Sequence, residues 1–330
     1  MQITVISPTS LLAALLLTIT PGALAEQSGQ EDLDWLKTMA FAAHQTDYTG
    51  TFVYQYGNHV ETSRITHVSD RDGEHERLES LDGVRREIIQ NNNQVWSYQG
   101  DSKVSVASRQ GRRSFPAFLP EQLSLLKENY QIKGAEEARV AGLHTHAFIL
   151  QPRDNLRYTL KLWAHSDSGL LLKAAVLDEH GGIIEQYAFT QLTIGGNIDR
   201  KWISPDKSAV GFHTHHPYSS SPLKADQAVR ESGWQVGTLP PGFKKTMEMR
   251  RPLRGKSVPV THLVFSDGLA GISVFIEDKA GNPQAYVGLS SHGAIQVYCK
   301  VSGENLVTVV GEVPPRTVMR VADSVRYRGY

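Results

Sequence analysis

Residues 234–278 read WQVGTLPPGFKKTMEMRRPLRGKSVPVTHLVFSDGLAGISVFIED, and the order of residue types along this stretch sets the architecture. Leu239-Pro240-Pro241-Gly242-Phe243 is a turn sequence: proline presets φ, and glycine accepts the backbone angles a tight turn requires. Lys244, Lys245, Arg250, Arg251, Arg254 and Lys256 follow, with Glu248 the single acid among them. Two runs with strand character, Thr261–Ser266 and Ile272–Glu277, then flank Asp267-Gly268, which has the chemistry of a hairpin turn. The stretch predicts a positively charged loop mounted on a hairpin platform. It carries no obvious catalytic set, so the surface it predicts is one that holds a partner.

Working outward toward the C-terminus, further strands are expected near 284–289, 294–301 and 305–310, with a final helix after Pro314-Pro315. Val318, Ala322 and Val325 would line one face of that helix. Cys299, the one cysteine, stands in the alternating run Ile295–Val301 and is expected inward-facing as a small buried hydrophobe. No intrachain disulfide can form.

Toward the N-terminus, Ser204-Pro205, Pro217 and Ser219-Ser220-Ser221-Pro222 make residues 204–222 a polar, Pro/Ser-rich linker. A helix is expected from Ser221 as cap to just before Gly233. Ahead of the linker, 26–203 reads as a domain of short strands. Glu31–Thr46 has the stripe Leu33, Leu36, Met39, Ala40 and Ala43 of an amphipathic helix. The period then changes to two, with Phe52, Tyr54 and Tyr56 on one side of a strand. Strands follow at 60–68, 84–90, 94–99 and 103–108, and after a short helix from Pro120 to Glu128 at 138–151, 156–164, 169–177 and 182–192. Regular short strands with few helices predict an α+β chain, mainly antiparallel β, with a curled sheet that could form a barrel. Residues 223–330 make a smaller, mixed α/β second domain.

Residues 1–25 read as a signal peptide. Leu11–Leu17 is apolar, Pro21-Gly22 breaks a helix, and Ala23-Leu24-Ala25 fits a cleavage site. That apolar run is well short of the roughly 20 residues that span a bilayer. Residues 2–10 lack the usual Lys or Arg. The mature chain, starting near Glu26, is expected to be exported. Lysine plus arginine equals aspartate plus glutamate, 34 each, so no global charge favours nucleic acid, and any basic function is local.

His213, His215 and His216, and His144 with His146, offer imidazoles two residues apart, but no third ligand or H-E-x-x-H frame accompanies them. Exposed polar sequence accounts for the first group. No nucleophile elbow or phosphate-cradling glycine loop is present, and neither an enzyme nor a metal or cofactor is expected.

Taken in order, YTGTFVYQ (48–55), ERLESLDGVRREII (76–89), RVAGLHTHAFILQPRDNLRY (139–158), GLLLKAAVLDEHGGIIEQYAFTQL (169–192), LPPGF (239–243), RRPL (250–253), FSDGLAGISVFIE (265–277) and VVGEVPPRTVMRVADSV (309–325) resemble the RseB/MucB family of periplasmic sigma-factor regulators. Each fragment is weak alone; their joint order covers nearly the whole mature chain. The resemblance implies a LolA/LolB-like first domain, an unclosed barrel capped by helices. It also implies binding to the periplasmic segment of a single-pass, RseA/MucA-like anti-sigma factor, protection of that segment from proteolysis, and release by lipid or lipopolysaccharide. His165 stands where the family often has Asp. For the partner contact, Phe243 is the expected apolar anchor and Lys244, Arg250, Arg251 and Arg254 the charges. For a lipid pocket, the candidates are Phe52, Tyr54, Trp96, Tyr158, Leu160 and Trp163, each of which is also explained by core packing. A periplasmic lipoprotein or lipid carrier of LolA type is the rival reading. Self-association stays open.

Overall fold

A computed structural model describes residues 21–92, 94–100, 102–106, 115–120, 123, 126–203, 232–251, 259–281 and 286–329. The expected linker 204–222, the helix expected to follow it, and most of the expected leader lie outside these residues.

The chain is mainly antiparallel β. Helix α1 (Pro21–Gln45) is followed by β1 (Tyr48–Tyr56), β2 (His59–Asp70), β3 (Gly73–Ser80), β4 (Arg86–Asn91), β5 (Gln94–Gln99) and β6 (Ser102–Val106). Helix α2 (Leu126–Asn129) precedes β7 (Tyr130–Val140), β8 (Leu143–Pro152), β9 (Thr159–His165), β10 (Leu171–Leu177) and β11 (Ile183–Ile194). These eleven strands form one sheet in the order β6-β5-β4-β3-β2-β1-β11-β10-β9-β8-β7. Its edges, β6 and β7, do not pair, so the sheet is open among the described residues, yet it curls enough for β7 to touch β11. Helix α1 lies in the curl against β2, β7 and β10, burying Leu33, Leu36, Met39, Ala40 and Ala43, the residues its periodicity predicts.

The second unit is mostly β rather than mixed α/β. Strands β13 (Lys244–Arg251), β14 (Val260–Ser266), β15 (Gly271–Asp278), β16 (Gly288–His292), β17 (Ile295–Ser302) and β18 (Asn305–Gly311) make a sheet ordered β13-β14-β15-β18-β17-β16. Helix α3 (Pro315–Asp323) packs on it with Val318, Val321 and Ala322 buried. Short strands β12 (Trp234–Val236) and β19 (Val325–Tyr327) pair at its end. Cys299 is buried as expected and takes a hydrogen bond from Thr308 Oγ1 at 3.3 Å, but Ile295 and Val301 beside it are exposed.

Three expectations are corrected. The expected strand 138–151 is two strands, β7 and β8, joined by Ala141 (φ 49°) and Gly142 (φ 82°). Both central residues have the positive φ of a two-residue hairpin turn, but alanine gives no turn signal there. Strand β3 went unpredicted because Leu78 is its one aliphatic side chain and its other face is polar: Arg77 bridges along the strand to Glu79 at 3.0 Å and across to Glu87 of β4 at 2.8 Å. The basic loop begins as a strand: Lys244–Arg251 is the edge strand β13, paired to β14.

Candidate functional site

The LPPGF turn closes with Phe243 N donating to Pro240 O at 3.2 Å. Pro241 and Gly242 (φ 78°) take the central positions of a type II turn, where the third residue must have positive φ. A side chain at Gly242 would start 2.3 Å from the Asn129 amide, so the second unit's turn lies directly on α2 of the first. This geometry turns the Phe243 ring beneath the guanidinium of Arg157, 5.1 Å away, and aims the Pro241 carbonyl at Arg157 Nη2.

Arg157 sits in the loop between β8 and β9. Its Nε donates to Asp267 Oδ2 at 2.6 Å, and Nη1 meets Asp154. Tyr130 Oη donates to the same Asp267 oxygen at 3.2 Å, while Asp267 Oδ1 accepts the N–H groups of Leu269 (2.9 Å) and Ala270 (2.8 Å). The side chains of Arg157 and Asp267 are 1% and 0% exposed. Burial opposes the charge on Arg157, but the hydrogen bond and charge of Asp267 more than offset it and hold its pKa above the ordinary value. Burial, then the Asp267 charge, raises that of Tyr130. Thr317 Oγ1, on α3, adds a bond to Leu156 O at 2.9 Å. A charged pair out of water holds only with this degree of hydrogen bonding.

A second set of contacts joins the units at the β16–β17 hairpin. Glu185 accepts from Tyr54 Oη at 3.0 Å and from Ala294 N at 2.8 Å. His292 stacks at a tilt on Tyr56 with centroids 4.4 Å apart, and Gln296 Nε2 donates to Tyr158 Oη at 3.2 Å. Arg316 on α3 pairs with Glu179 at the β10–β11 tip.

The register sorts the six lipid-pocket candidates. Phe52, Tyr54 and Leu160 share the inner face with Tyr187 and Phe189, and Tyr158 continues the phase of Leu160. Trp96 pairs with Ile89 in the opposite phase, and Trp163 lies on the outer face under Lys161 (5.1 Å) and Lys173 (4.7 Å). A side-chain period of two separates these tryptophans from the inner face, so neither lines it. That face is filled: Phe115 packs 5.0 Å from Phe52 and from Phe189, and Phe118 stands edge-on to Tyr187 at 5.2 Å.

Phe243, the expected anchor for a partner, is 8% exposed and spent on Arg157. Lys244 and Arg250 are exposed on β13, Arg251 ends that strand opposite Val260, and Arg254 lies outside the described residues. Lys245 is neutralised by Glu248 at 2.6 Å. Among the described residues no three His, Cys, Asp or Glu side chains come together as a metal site. His165 accepts from Ser168 N at 3.3 Å and caps its own turn. Arg157 and Tyr130 were not singled out from the sequence, and Asp267 was read only as a turn residue. The available signal was that PRDNLRY, LPPGF and FSDG, three fragments of the resemblance, each contribute to this junction.

The fold and site define a binding protein of two β-rich units joined by a buried polar junction. Models of the MucB/RseB N-terminal and C-terminal domains match residues 31–207 and 228–326. The sigma factor AlgU regulatory protein MucB of Pseudomonas aeruginosa is 36% identical over 304 residues, covering 89% of this chain and 90% of that one. The sigma-E factor regulatory protein RseB of Escherichia coli K12 is 25% identical over 294 residues, 88% and 89% of the two chains. A structure of the Pseudomonas aeruginosa MucA/MucB complex superposes with TM-score 0.71 at 30% identity, covering 91% of this chain and all of its counterpart. The chain belongs to the MucB/RseB family, which consists of regulatory proteins and not enzymes.

Proposed function

We propose that this protein is a periplasmic negative regulator of an extracytoplasmic-function, envelope-stress sigma factor. It binds the periplasmic segment of a single-pass anti-sigma factor and protects it from regulated proteolysis. The observation that carries this reading is the correspondence of both units, over 91% of the chain, to the MucB partner in a MucA/MucB complex. Residues 1–25 would direct export, 26–203 would form a LolA-like half-barrel, 204–222 a linker and 223–330 the second domain. No helix among the described residues is long and apolar enough to cross a membrane.

Lipid or lipopolysaccharide would favour release. Support comes from the inner face of the curled sheet, where Phe52, Tyr187 and Phe189 pack around Phe115 and Phe118. An acyl chain replacing those rings gains about 0.8 kcal/mol per buried methylene. For release, lipid must bind the free protein more tightly than the complex. A carrier role alone leaves the buried junction with the second unit without a purpose.

The test is digestion of the periplasmic fragment of the anti-sigma factor from the same source, with and without this protein, by the protease that normally cleaves it. Slower cleavage that lipopolysaccharide restores supports both parts of the reading. Protection indifferent to lipopolysaccharide keeps the regulator and removes the lipid step. No protection contradicts the regulator.

A further inference from the structure

Beside the junction, the second unit carries an open groove of about 730 Å³ lined by Gly237, Thr238, Arg316, Met319, Arg320, Asp323, Ser324 and Arg326. Three arginines face one acid, and Lys300 already holds that acid, Asp323, at 2.6 Å. Arg326 Nη1 is anchored on the carbonyls of Asp323 (2.7 Å) and Val325 (2.8 Å), at the C-terminal end of α3, so its charge is fixed in place. Met319 adds an exposed apolar patch.

One side chain from the first unit already answers this charge. The β10–β11 hairpin ends in Asp178-Glu179-His180, and Asp178 ties the tip by accepting from His180 N (2.8 Å) and Gly182 N (2.7 Å). The tip so held presents Glu179 to Arg316, with the two side chains 54% and 44% exposed. Glu179 therefore occupies the rim of the groove as an acidic group borrowed from the neighbouring unit. An exposed pair of this kind is worth little and is readily exchanged for another carboxylate.

We propose that this groove is a docking site for an acidic, extended peptide segment, and that Glu179 is its built-in competitor. The site is distinct from the basic strand β13. It deepens the regulator reading and rests on it, with the acidic segment supplied by the anti-sigma partner. An incoming carboxylate takes Arg316 from Glu179, Arg320 supplies a second charge, and Met319 accepts an apolar side chain. Because Glu179 and Arg316 belong to different units, occupancy removes one tie across the junction while the buried Arg157–Asp267 pair keeps the units together.

The test is the affinity of the full mature chain for the periplasmic anti-sigma fragment, measured for wild type, Glu179→Gln and Arg320→Glu. Asp72→Asn serves as a charge-matched control at the opposite end of the large sheet, as the β1–β2 register shows. Removing the competitor should tighten binding about two- to fivefold, while Asp72→Asn leaves it unchanged. Arg320→Glu should weaken binding about five- to tenfold and flatten its salt dependence. The inference needs both shifts, and the absence of either, with wild-type binding intact, overturns it alone. No binding by the wild-type chain overturns the regulator reading, and the groove assignment falls with it.

Discussion

At the scale of single residues, the junction separates two kinds of ion pair. Arg157 and Asp267 are buried and share their remaining hydrogen-bonding capacity with Tyr130, Pro241, Leu269 and Ala270, whereas Arg316 and Glu179 meet in solvent. Removing one partner of a buried pair leaves the other charge uncompensated. Asp267→Asn is therefore expected to cost roughly 3–5 kcal/mol in urea unfolding, and Glu179→Gln less than about 1 kcal/mol. Equal effects would contradict the assignment. The tyrosines at the junction set its pH response. Burial first, and then Glu185 for Tyr54 and Asp267 for Tyr130, raise both phenol pKa values above the ordinary one. A folded pKa above the unfolded value contributes stability that is full below about pH 10 and is lost as pH rises through the folded value. Of the twelve tyrosines, some should form tyrosinate only together with loss of the folded circular-dichroism signal. Ionisation of all of them near pH 10 in a folded chain would refute this.

At the scale of elements, the β16–β17 hairpin docks through its tip. Gly293 has φ 58°, and a Cβ there would lie 2.3 Å from Glu185 Oε2 and 2.9 Å from Tyr54 Oη. Gly303, in the next hairpin, has φ 59° and open space around it. Gly293→Ala and Gly303→Ala thus carry the same backbone penalty, on the order of 1 kcal/mol. The excess cost of Gly293→Ala in thermal unfolding measures the docking, and equal costs would show that the hairpin does not bear on the first unit. Elements with an apolar period were legible in the sequence: α1 from its stripe, β1 from Phe52, Tyr54 and Tyr56, and β14–β15 from the runs around Asp267-Gly268. Elements held by polar pairing were not, as β3 with Arg77, Glu79 and Glu87 shows. The site was less legible still. Phe243 and Asp267 read locally as an exposed anchor and a turn residue, because nothing in a linear pattern brings Arg157 from 86 positions earlier than Phe243 onto both. Face assignment failed for Trp96 and Trp163 for a related reason: the period of two shows alternation but not which side of the sheet is inward.

At the scale of the whole molecule, the described residues hold the two units together at three places: the Arg157–Asp267 node, the β16–β17 tip and the Arg316–Glu179 pair. The arrangement explains why fragments of the family resemblance so far apart in sequence belong together. Tyr54 and Tyr158 face both the inner sheet surface and the second unit, so the proposed lipid step would bear on the proposed partner contact at this junction. Weakening the node with Asp267→Asn should reduce affinity for the anti-sigma fragment while leaving the secondary-structure content unchanged by circular dichroism; unaltered affinity would mean that the units bind independently. The most direct measurement is calorimetric titration of the mature chain with the periplasmic fragment of the anti-sigma factor from the same source. Saturable binding is the predicted result, and the absence of any binding heat at several temperatures would contradict the regulator itself.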